Sequence, residues 1–413
     1  MSATSPARRA VIVVGAGPAG LSCALALRAH GIQATILESR PENHPRPGSR
    51  AIYTHRASLE LLEQMRPGLG WRLAGRGLVW STKRTFWRGR EVFARSYPPP
   101  APETLPPFTS LPQTDVETHL VEACRAAGVE FAWSEEVQGV AVDSDQVRVT
   151  TSVGGEWTAD RVVGADGAHS TIRGAIGVPM EGSRSDNTYV IVDIDEDPED
   201  PRPIERLFHY EHPAVGHRNV LLVPFQGGWR ADLQCRRGDD PGAFDRDEGL
   251  RAWVAKVMDE PYAERIRWVS TYRFLQVVAR RCTDETGRVL LVGEAAHLFP
   301  PFGARGMNSG IADAHAAAGA IHASFRGSDP GAARAAIESF AGDRHEAAIG
   351  NRQAAGKALA AIEGRGAWSR AKRRTAVAFA PRVERAGAWL DAAPYGPRPR
   401  QTSRPKRFRP WAS

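Results

Sequence analysis

A glycine fingerprint near the N-terminus constrains the fold of this 413-residue chain more than any other feature. The segment Gly15-Ala16-Gly17-Pro18-Ala19-Gly20 follows a short apolar run, Val11 to Val14, and precedes a stretch with helical periodicity. The first glycine permits a tight turn, the second lets a pyrophosphate approach the backbone, and the third lets helix and strand pack closely. Glu38, at the end of the next predicted strand, is placed to accept hydrogen bonds from ribose hydroxyls. The pattern therefore predicts a βαβ unit that binds a dinucleotide.

The remainder of the chain divides into lobes by its pattern of apolar residues. Residues 180–280 contain short alternating segments typical of β-strands, and an apolar strand returns at 288–293 before an alanine-rich helix. We therefore predict an α/β fold in which a Rossmann-like nucleotide-binding domain, residues 1–179 and 281–363, is interleaved with a β-sheet substrate lobe, residues 180–280. Residues 364–413 are predicted to form a basic C-terminal extension that is helical at first and partly disordered after that.

Positive charge is concentrated in that extension. Residues 364–413 carry 13 Lys and Arg against two acidic residues, which leaves 41 Lys and Arg against 45 Asp and Glu, a net of −4, for residues 1–363. The excess ends in a proline-rich string and not in a basic face with interleaved aromatic residues, so we expect no nucleic-acid binding. A solvated terminus is the simpler interpretation.

Cysteine spacing and apolar run lengths bear on the compartment. The four cysteines lie far apart without a CxxC pair, which favours neither a zinc site nor a disulfide framework. The longest apolar runs are far shorter than the roughly 20 residues that cross a bilayer. Arg8 and Arg9 precede an apolar segment that is broken by glycines, unlike the core of a signal peptide. We therefore expect a cytoplasmic protein with reduced thiols, no metal and no membrane contact.

Two further motifs follow the first. Gly164-Ala165-Asp166-Gly167-Ala168-His169 stands after an apolar strand, and Gly293-Glu294-Ala295-Ala296-His297 leads into the Pro- and Gly-rich loop 300–308. In this order and at these separations, the three motifs resemble those of the FAD-dependent aromatic hydroxylases, the class A flavoprotein monooxygenases related to 4-hydroxybenzoate hydroxylase. The likeness runs from residue 10 to about 360. It is weak over residues 180–280, where such enzymes recognise different substrates.

The resemblance implies a set of FAD contacts. The predicted cofactor-binding residues are Gly15, Gly17, Ala19, Gly20, Glu38, Ser39, Arg50, Gln113, Asp166, Glu294, Pro301, Gly303, Gly306, Met307 and Asn308. Glu294 stands where the more familiar motif GDAAH has Asp, and the longer side chain still offers an acceptor to the ribityl hydroxyls. Arg305 and the amides at the start of the following helix are expected to stabilise the negative charge of reduced flavin. Arg305 is therefore one candidate catalytic residue.

The second cofactor and the substrate leave weaker signals. The sequence contains no second glycine fingerprint for NAD(P)H, which relatives bind transiently at the surface. Four basic side chains are plausible phosphate contacts: Arg40, His44, Arg46 and His169. Six polar residues of the β-rich lobe are substrate candidates, about half of which should face solvent because strand residues alternate: Tyr189, His209, Tyr210, His212, Arg230 and Gln234. His209 and Tyr210 are the candidates for polarising a phenol.

The resemblance implies a function. It is an FAD-dependent, NAD(P)H-consuming monooxygenase that uses molecular oxygen to hydroxylate a small aromatic, phenolic substrate through a flavin hydroperoxide. Two alternatives stay open: a flavin-dependent dehydrogenase or reductase on the same fold without hydroxylation, and a non-catalytic flavin-binding protein whose basic tail docks a partner. A halogenase is disfavoured because the sequence contains no WxWxIP segment. Substrate identity, the choice of NADH or NADPH and the oligomeric state are left open.

Overall fold

A computed structural model of the chain describes residues 8–44, 47–327, 329–364 and 366–395. The described chain alternates between two large sheets, each of which is covered by helices, and two short strands, Tyr53–His55 and Phe108–Ser110, pair in a separate sheet. In chain order the strands are β1 (Arg9–Val14), β2 (Ala34–Glu38), β3 (Tyr53–His55), β4 (Thr82–Trp87), β5 (Arg90–Ser96), β6 (Phe108–Ser110), β7 (Glu130–Trp133), β8 (Val137–Val142), β9 (Val147–Thr151), β10 (Glu156–Gly164), β11 (Met180–Asp195), β12 (Glu205–His212), β13 (Arg218–Phe225), β14 (Gly228–Gln234), β15 (Ile266–Ala279), β16 (Val289–Leu291) and β17 (His297–Leu298).

The helices complete the two lobes and the C-terminal part. In chain order they are α1 (Pro18–Ala29), α2 (Arg56–Met65), α3 (Leu69–Arg76), α4 (Gln113–Ala126), α5 (Thr171–Ala175), α6 (Gly242–Asp245), α7 (Asp247–Met258), α8 (Glu260–Ala263), α9 (Arg305–Arg326), α10 (Pro330–Glu363), α11 (Ala367–Phe379) and α12 (Glu384–Ala392). Short 3-10 turns stand at Gly293–Ala295 and at Ala393–Tyr395, among others. None of the helices in the described ranges combines the length and apolarity that a membrane span requires.

The nucleotide lobe is built on a seven-stranded sheet in the order β7-β2-β1-β10-β9-β8, with β16 also paired to β10. β1 runs parallel to β2 and β10, and β10 runs parallel to β16. Residues 11–13 of β1 are inaccessible to solvent, as expected for parallel strands that helices cover on both faces. The predicted Rossmann-like fold, entered at β1 and re-entered at β16, is confirmed.

The substrate lobe is an eight-stranded sheet in the order β17-β15-β11-β14-β13-β12-β4-β5. All its pairings are antiparallel except that of β12 with β4. One face packs on α7 through Trp229 and Trp253. The other face, called the inner face here, meets the nucleotide lobe through Tyr189, Phe274 and Phe302.

The eight-stranded sheet also includes strands that precede and follow residues 180–280 in the sequence. β4 and β5 lie within the segment that the sequence assigned to the nucleotide domain, and β17 lies in the returning segment. Local sequence indicates that a segment forms a strand but not which strand it pairs with. The membership of β4, β5 and β17 in this sheet could therefore not be predicted from the sequence. The predicted helical C-terminus is confirmed by α11 and α12, of which α12 packs on β4 and β5. Residues 396–413, for which disorder was expected, lie outside the described residues.

Candidate flavin and substrate site

The glycine fingerprint forms a tight crossing between β1 and α1. Gly15 has φ +105°, and a Cβ at this position would stand 2.5 Å from the carbonyl oxygen of Ala165 in the second motif. A Cβ at Gly20 would collide with the Gly15 carbonyl. α1 begins at Pro18 without a side-chain cap from Gly17, which leaves the amides and positive potential of the helix N-terminus available to a phosphate.

Glu38 closes the other side of this turn. Its Oε2 accepts a hydrogen bond of 2.6 Å from the Ala16 amide, and its Oε1 accepts from the Ser39 hydroxyl at 3.2 Å and the Arg40 amide at 3.1 Å. The side chain is buried at the end of β2, beside the turn that would hold the pyrophosphate. The carboxylate thus lies where the fingerprint predicts the adenosine ribose to be recognised.

Asp166 of the second motif has a local structural task. Its Oδ1 accepts from the Ser170 hydroxyl at 2.5 Å, and its Oδ2 accepts from the Ile172 amide at 3.0 Å, so it orders the start of α5. Burial raises the pKa of Asp166, and these hydrogen bonds oppose that shift. Arg173 donates to the carbonyls of Ala168 and Ala295, both at 3.0 Å. The second motif is thereby tied to the third.

Buried charges fix the third motif. Asp313 Oδ2 accepts from the Gly293 amide at 3.0 Å and lies 2.7 Å from His297 Nε2, while its Oδ1 accepts from Arg344 at 2.7 Å. Burial disfavours ionisation of Asp313, but Arg344 and His297 outweigh that effect and lower its pKa to about 2. Glu294 stays exposed within this braced turn, so its carboxylate is available to a ribityl chain.

The loop of residues 300–308, called the flavin loop here, is held by Asn308. The Asn308 Nδ2 donates to the carbonyls of Tyr53 at 2.8 Å and Ala304 at 2.7 Å, and its Oδ1 accepts from the His55 amide at 2.9 Å. The backbone turns through two left-handed residues, Gly303 (φ +80°) and Ala304 (φ +51°). A side-chain amide therefore fixes an otherwise strained entry into α9.

The start of α9 is open to a ligand. Ala304 provides no side-chain cap, so the first amides of the helix are available for bonding. A Cβ at Gly306 would meet no atom within 4 Å, and Met307 is only partly buried. Pro301 is exposed. This uncapped, uncrowded helix start fits the electron-rich edge of an isoalloxazine ring, which amide donors would stabilise once it is reduced.

The Arg305 side chain makes contacts that the sequence did not suggest. Its Nη1 donates to Asn351 Oδ1 at 3.0 Å, and its Nη2 donates to the carbonyl of Tyr395 at 3.1 Å. Asn351 in turn donates to the Ser309 hydroxyl at 3.0 Å. The guanidinium therefore braces α9 against α10 and the C-terminal segment, and these contacts argue against its expected direct role at the reduced flavin.

A second loop approaches the inner face beside the flavin loop. Residues 48–51, called the Arg50 loop here, place Arg50 in a left-handed conformation with φ +53°. The backbone N–H of Gln113, the other predicted flavin contact, donates a hydrogen bond to the Ser49 carbonyl at 2.9 Å. The Ser49 amide and hydroxyl both donate to the Asp193 carboxylate, at 2.6 and 2.7 Å, and Arg230 donates to the same hydroxyl. The Arg50 loop is thus tied both to the first residue of α4, Gln113, and to the substrate sheet.

The register of β11 and β14 shows which substrate candidates share the inner face. Directly paired antiparallel residues lie on one face, and Tyr189 pairs with Gln234 while Asp193 pairs with Arg230. The ring of Tyr189 lies 5.6 Å from that of Phe302 in the flavin loop, centroid to centroid. Tyr189, Arg230 and Gln234 therefore face the nucleotide lobe.

The two nominated phenol-polarising residues lie in structural contacts. Tyr210 is on the inner face but is buried, and its hydroxyl donates to the Leu390 carbonyl at 3.0 Å. His209 is adjacent in β12 and so points to the opposite face, where its ring stacks on Phe86 at 4.4 Å and meets His212 edge-on at 4.8 Å. Burial lowers the pKa of His209 to about 3. The geometry argues against both residues as substrate contacts.

The candidate NAD(P)H contacts that the structure describes differ in their exposure to solvent. Arg40 is partly buried beside Glu38, whereas His44 and His169 are exposed. Arg46 lies outside the described residues. Within the described ranges, no group of His, Cys, Asp and Glu side chains is arranged to hold a metal ion.

Sequence reasoning overlooked two acidic residues of the substrate sheet, Asp193 and Asp232. Both lie on strands whose polar residues recur every second position among apolar ones, as in Arg230, Asp232 and Gln234. The first and last of these three were selected and the middle one was not. The same alternation of polar and apolar residues that selected Arg230 and Gln234 also identifies Asp232.

A dinucleotide cradle, a braced flavin loop and an adjoining sheet face define a flavoprotein with a separate substrate lobe. A family model described as FAD binding domain matches residues 8–355. Because this match covers most of the chain, the protein belongs to that family of FAD-binding proteins. The family recognised from the three motifs is thereby confirmed, and FAD is its cofactor.

Several characterised proteins are similar in sequence. The 6-methylpretetramide 4-monooxygenase of Streptomyces rimosus is 31% identical over 317 residues, 74% of this chain and 54% of that protein. The rifampicin monooxygenase of Streptomyces venezuelae is 30% identical over 318 residues, 74% of this chain and 62% of that protein. The chain thus spans less than two thirds of the length of either relative. The dialkyldecalin synthase of Streptomyces rugosporus is 28% identical over 348 residues, 82% of this chain and 69% of that protein.

Solved structures share the fold. The p-nitrophenol 4-monooxygenase PnpA of Pseudomonas putida DLL-E4 superposes with a TM-score of 0.76 at 23% identity, over 95% of this chain and all of that one. The flavin-dependent monooxygenase PieE, solved with FAD and substrate, gives a TM-score of 0.75 at 20% identity over 99% of this chain and 78% of that one. At these identities the similarity establishes the architecture alone.

Proposed function

We propose that this chain is an FAD-dependent, NAD(P)H-consuming monooxygenase that uses molecular oxygen to hydroxylate a small aromatic, phenolic molecule. The observation that carries the proposal is that the flavin loop and the Arg50 loop both contact the inner face of the substrate sheet. A flat substrate on that face would lie beside the flavin ring. FAD supplies the redox and oxygen chemistry when bound, and the chain orients the substrate and excludes water.

The similar proteins support this proposal. Two of the relatives are named as monooxygenases, of 6-methylpretetramide and of rifampicin, and the p-nitrophenol 4-monooxygenase that shares the fold is named as one that acts on a phenol. A further relative, from Mycolicibacterium smegmatis, is named 3-(3-hydroxy-phenyl)propionate/3-hydroxycinnamic acid hydroxylase and is 29% identical over 325 residues. The last two names specify a hydroxylated aromatic ring with different substituents, which supports a phenolic substrate class.

The test is phenol-stimulated turnover with isotopic oxygen. FAD-loaded protein is supplied with NADH or NADPH and a panel of phenols, and nicotinamide oxidation is recorded with and without each phenol. Reaction under ¹⁸O₂ should then place one labelled atom in the product, detected by mass spectrometry. Nicotinamide oxidation that yields only hydrogen peroxide with every phenol, or no stimulation at all, would contradict the proposal.

A second candidate is a flavoprotein of the same family that does not hydroxylate. The similarity to the dialkyldecalin synthase, which extends over 82% of this chain, favours it. A dehydrogenase or reductase on the same fold belongs to the same category. Labelled oxygen in the product excludes this candidate, whereas product formation that needs FAD but incorporates no oxygen supports it.

We also propose a cytoplasmic location. The four cysteines are all unpaired and buried within the described residues, as expected for a protein that stays in a reducing compartment. Nicotinamide cofactors, which the proposed reaction consumes, are found in the same compartment. Fractionation of cells that express the chain, followed by detection in the periplasmic, membrane and cytoplasmic fractions, tests the assignment.

A further inference from the structure

Asp232 occupies the centre of the inner face. It lies on β14 two residues from Arg230 and two from Gln234, so all three side chains leave the strand on the same side. Its direct partner across β11 is Ile191, and its partner across β13 is Leu221. Ile191 and Leu221 both pack in the apolar cluster that contains Phe302.

This position is midway between the two loops that approach the sheet. On one side, the paired residues Asp193 and Arg230 contact Ser49 of the Arg50 loop. On the other side, Tyr189, which pairs with Gln234, contacts Phe302 of the flavin loop. The Asp232–Ile191 pair separates these two contacts along the strands. Asp232 therefore lies on the inner face between the contact with the flavin loop and the contacts with the Arg50 loop.

The carboxylate has no hydrogen bond in the part of the chain that the structure describes. Its Oδ1 is shielded from water and has no partner, although the residue as a whole is partly exposed. Arg230, the nearest cation, donates to Ser49 instead and lies 3.5 Å from Asp193. Burial raises the pKa of Asp232 to about 6; Arg230 opposes this shift and Asp193 adds to it.

Such an arrangement is costly for a purely structural residue. A buried carboxyl group without a hydrogen bond destabilises the fold, and most such groups in proteins are satisfied. Ile191 and Leu221 offer no donor, so a satisfying donor must come from outside the chain. The neighbouring apolar and aromatic side chains suit a flat ring, and the carboxylate suits a hydroxyl at the edge of that ring.

We propose that Asp232 is the acceptor for the phenolic hydroxyl of the substrate and so determines its specificity. The location of the substrate rests on the proposed function. The chemical class that follows is a phenol whose hydroxyl donates to Asp232, in preference to the methyl ether of the same ring and to a ring that presents a carboxylate at this end. Its role is to bind the substrate. Within the described residues it forms no hydrogen bond or ion pair that its replacement would break.

The test compares phenols with their methyl ethers. FAD-loaded protein is titrated with three matched pairs, phenol and anisole, 4-nitrophenol and 4-nitroanisole, and 2-naphthol and 2-methoxynaphthalene, and binding is followed by the flavin difference spectrum. A hydrogen bond to a charged acceptor implies at least a roughly tenfold preference for the phenol of a pair that fits the site. In D232A this preference should fall to about twofold or less, with the affinity for the ether nearly unchanged, and D232N should be intermediate.

A matched control separates this role from a general effect of charge. Asp195 lies on β11 of the same sheet, but its side chain is 46% exposed and faces Arg267 at 3.2 Å. D195N should keep the wild-type preference. A wild-type protein that binds no phenol of the panel more tightly than its ether, or a D232A protein that keeps the preference, would overturn the assignment.

The outcome is distinguishable from that of the proposed function. Incorporation of ¹⁸O together with an unchanged preference in D232A would leave the monooxygenase standing and remove Asp232 from its substrate site. A preference that depends on Asp232 without oxygen incorporation would keep the binding site and reject hydroxylation. Flavin content and thermal unfolding of each variant, measured beforehand, identify any variant that fails to fold, and D232N then provides the comparison.

Discussion

The Ser49 amide lies 2.6 Å from Asp193 Oδ2, and this hydrogen bond ties the Arg50 loop to the centre of the substrate sheet. The Ser49 hydroxyl makes a second bond to the same carboxylate at 2.7 Å. Both residues are buried. The backbone that holds Arg50 in its left-handed conformation is therefore anchored to the lobe that would bind the substrate.

Removal of the Ser49 hydroxyl should loosen this anchor. Ser49→Ala leaves Asp193 and Arg230 without a shared partner, and the loss of a hydrogen bond to a buried charge should cost about 1.5–3 kcal/mol of stability. FAD affinity should fall as well, because the backbone N–H of residue 49 is then the only remaining bond from this residue to Asp193 and holds Arg50 less firmly. Urea unfolding and flavin titration measure both effects. Ser81→Ala, at an exposed position, is the control, and equal behaviour of the two variants would show that the anchor is unimportant.

Glu38→Ala should weaken FAD binding. The variant loses the acceptor beside the glycine turn, and each charge-assisted bond to the ribose contributes about 1.5–3 kcal/mol. The dissociation constant of FAD, from titration of the apoprotein, should rise at least tenfold. Glu60→Ala removes an exposed carboxylate from α2 and should leave FAD binding unchanged. Unaltered affinity in the Glu38 variant would mean that the nucleotide binds elsewhere.

Arg305→Ala should act mainly through the C-terminal segment. The guanidinium links Asn351 and the Tyr395 carbonyl, so its loss should release the segment after α12 and accelerate limited proteolysis there. Asn351→Ala removes one of the two bonds and should give a smaller change in the same direction. Stopped-flow reduction by NAD(P)H is the second measurement. A large loss of reduction rate in the Arg305 variant, with proteolysis unchanged, would restore the direct flavin role expected from the sequence.

Two truncations should differ sharply. Removal of residues 397–413 should leave FAD content and turnover nearly intact, since their composition offers little apolar surface to bury. Removal of residues 384–413 also deletes Asp391, which pairs with buried Arg206 at 3.1 Å, and the Leu390 carbonyl that accepts from Tyr210. An unpaired buried charge costs about 3–5 kcal/mol, so the longer deletion should lower the melting temperature markedly. Loss of flavin in the shorter deletion would show that residues 397–413 are needed for FAD binding, contrary to this prediction.

Asp232→Asn should stabilise the protein, in a manner that depends on pH. The folded protein raises the pKa of Asp232 to about 6, so it binds a proton more tightly than the unfolded chain does. The resulting destabilisation is absent below the unfolded pKa of about 4 and grows until the pH passes about 6. The Asn variant should therefore unfold like the parent near pH 4 but gain about 1–3 kcal/mol at pH 8. A gain that is independent of pH, or a loss, would contradict the raised pKa of this partly shielded carboxylate.

Local sequence predicted the parts of the site that depend on local geometry. The glycine turn, Glu38 at the end of β2 and the helix after the flavin loop all follow from spacing within a few residues, and the structure places them together. Helix α2, Arg56–Met65, likewise buries Leu59, Leu62 and Met65, whose spacing is that of one helix face. These features need no knowledge of distant partners.

Contacts between distant segments were not predictable in this way. The direction of His209 depends on which strands flank β12, and one of them, β4, comes from more than a hundred residues earlier. The register of β12 with β13 also shifts between His209 and His212, which local alternation cannot anticipate. One of the partners of Arg305 lies at residue 395, in the C-terminal extension, for which the sequence predicted helices but no contact with the flavin loop. The direction of His209, the register shift of β12 and the partner of Arg305 are all determined by contacts between segments that are distant in the sequence.

The threading of one chain through two sheets has a consequence for its synthesis. β10 ends at Gly164, but its parallel neighbour β16 begins only at Val289, after the central strands of the other sheet have been made. At roughly 5–20 residues per second, a ribosome needs about 6–25 s to cover that interval. During this time the half-built nucleotide sheet carries an unpaired apolar edge. A nascent chain stalled before residue 289 should bind a chaperone, and the flavin should be captured only once α9 has left the exit tunnel.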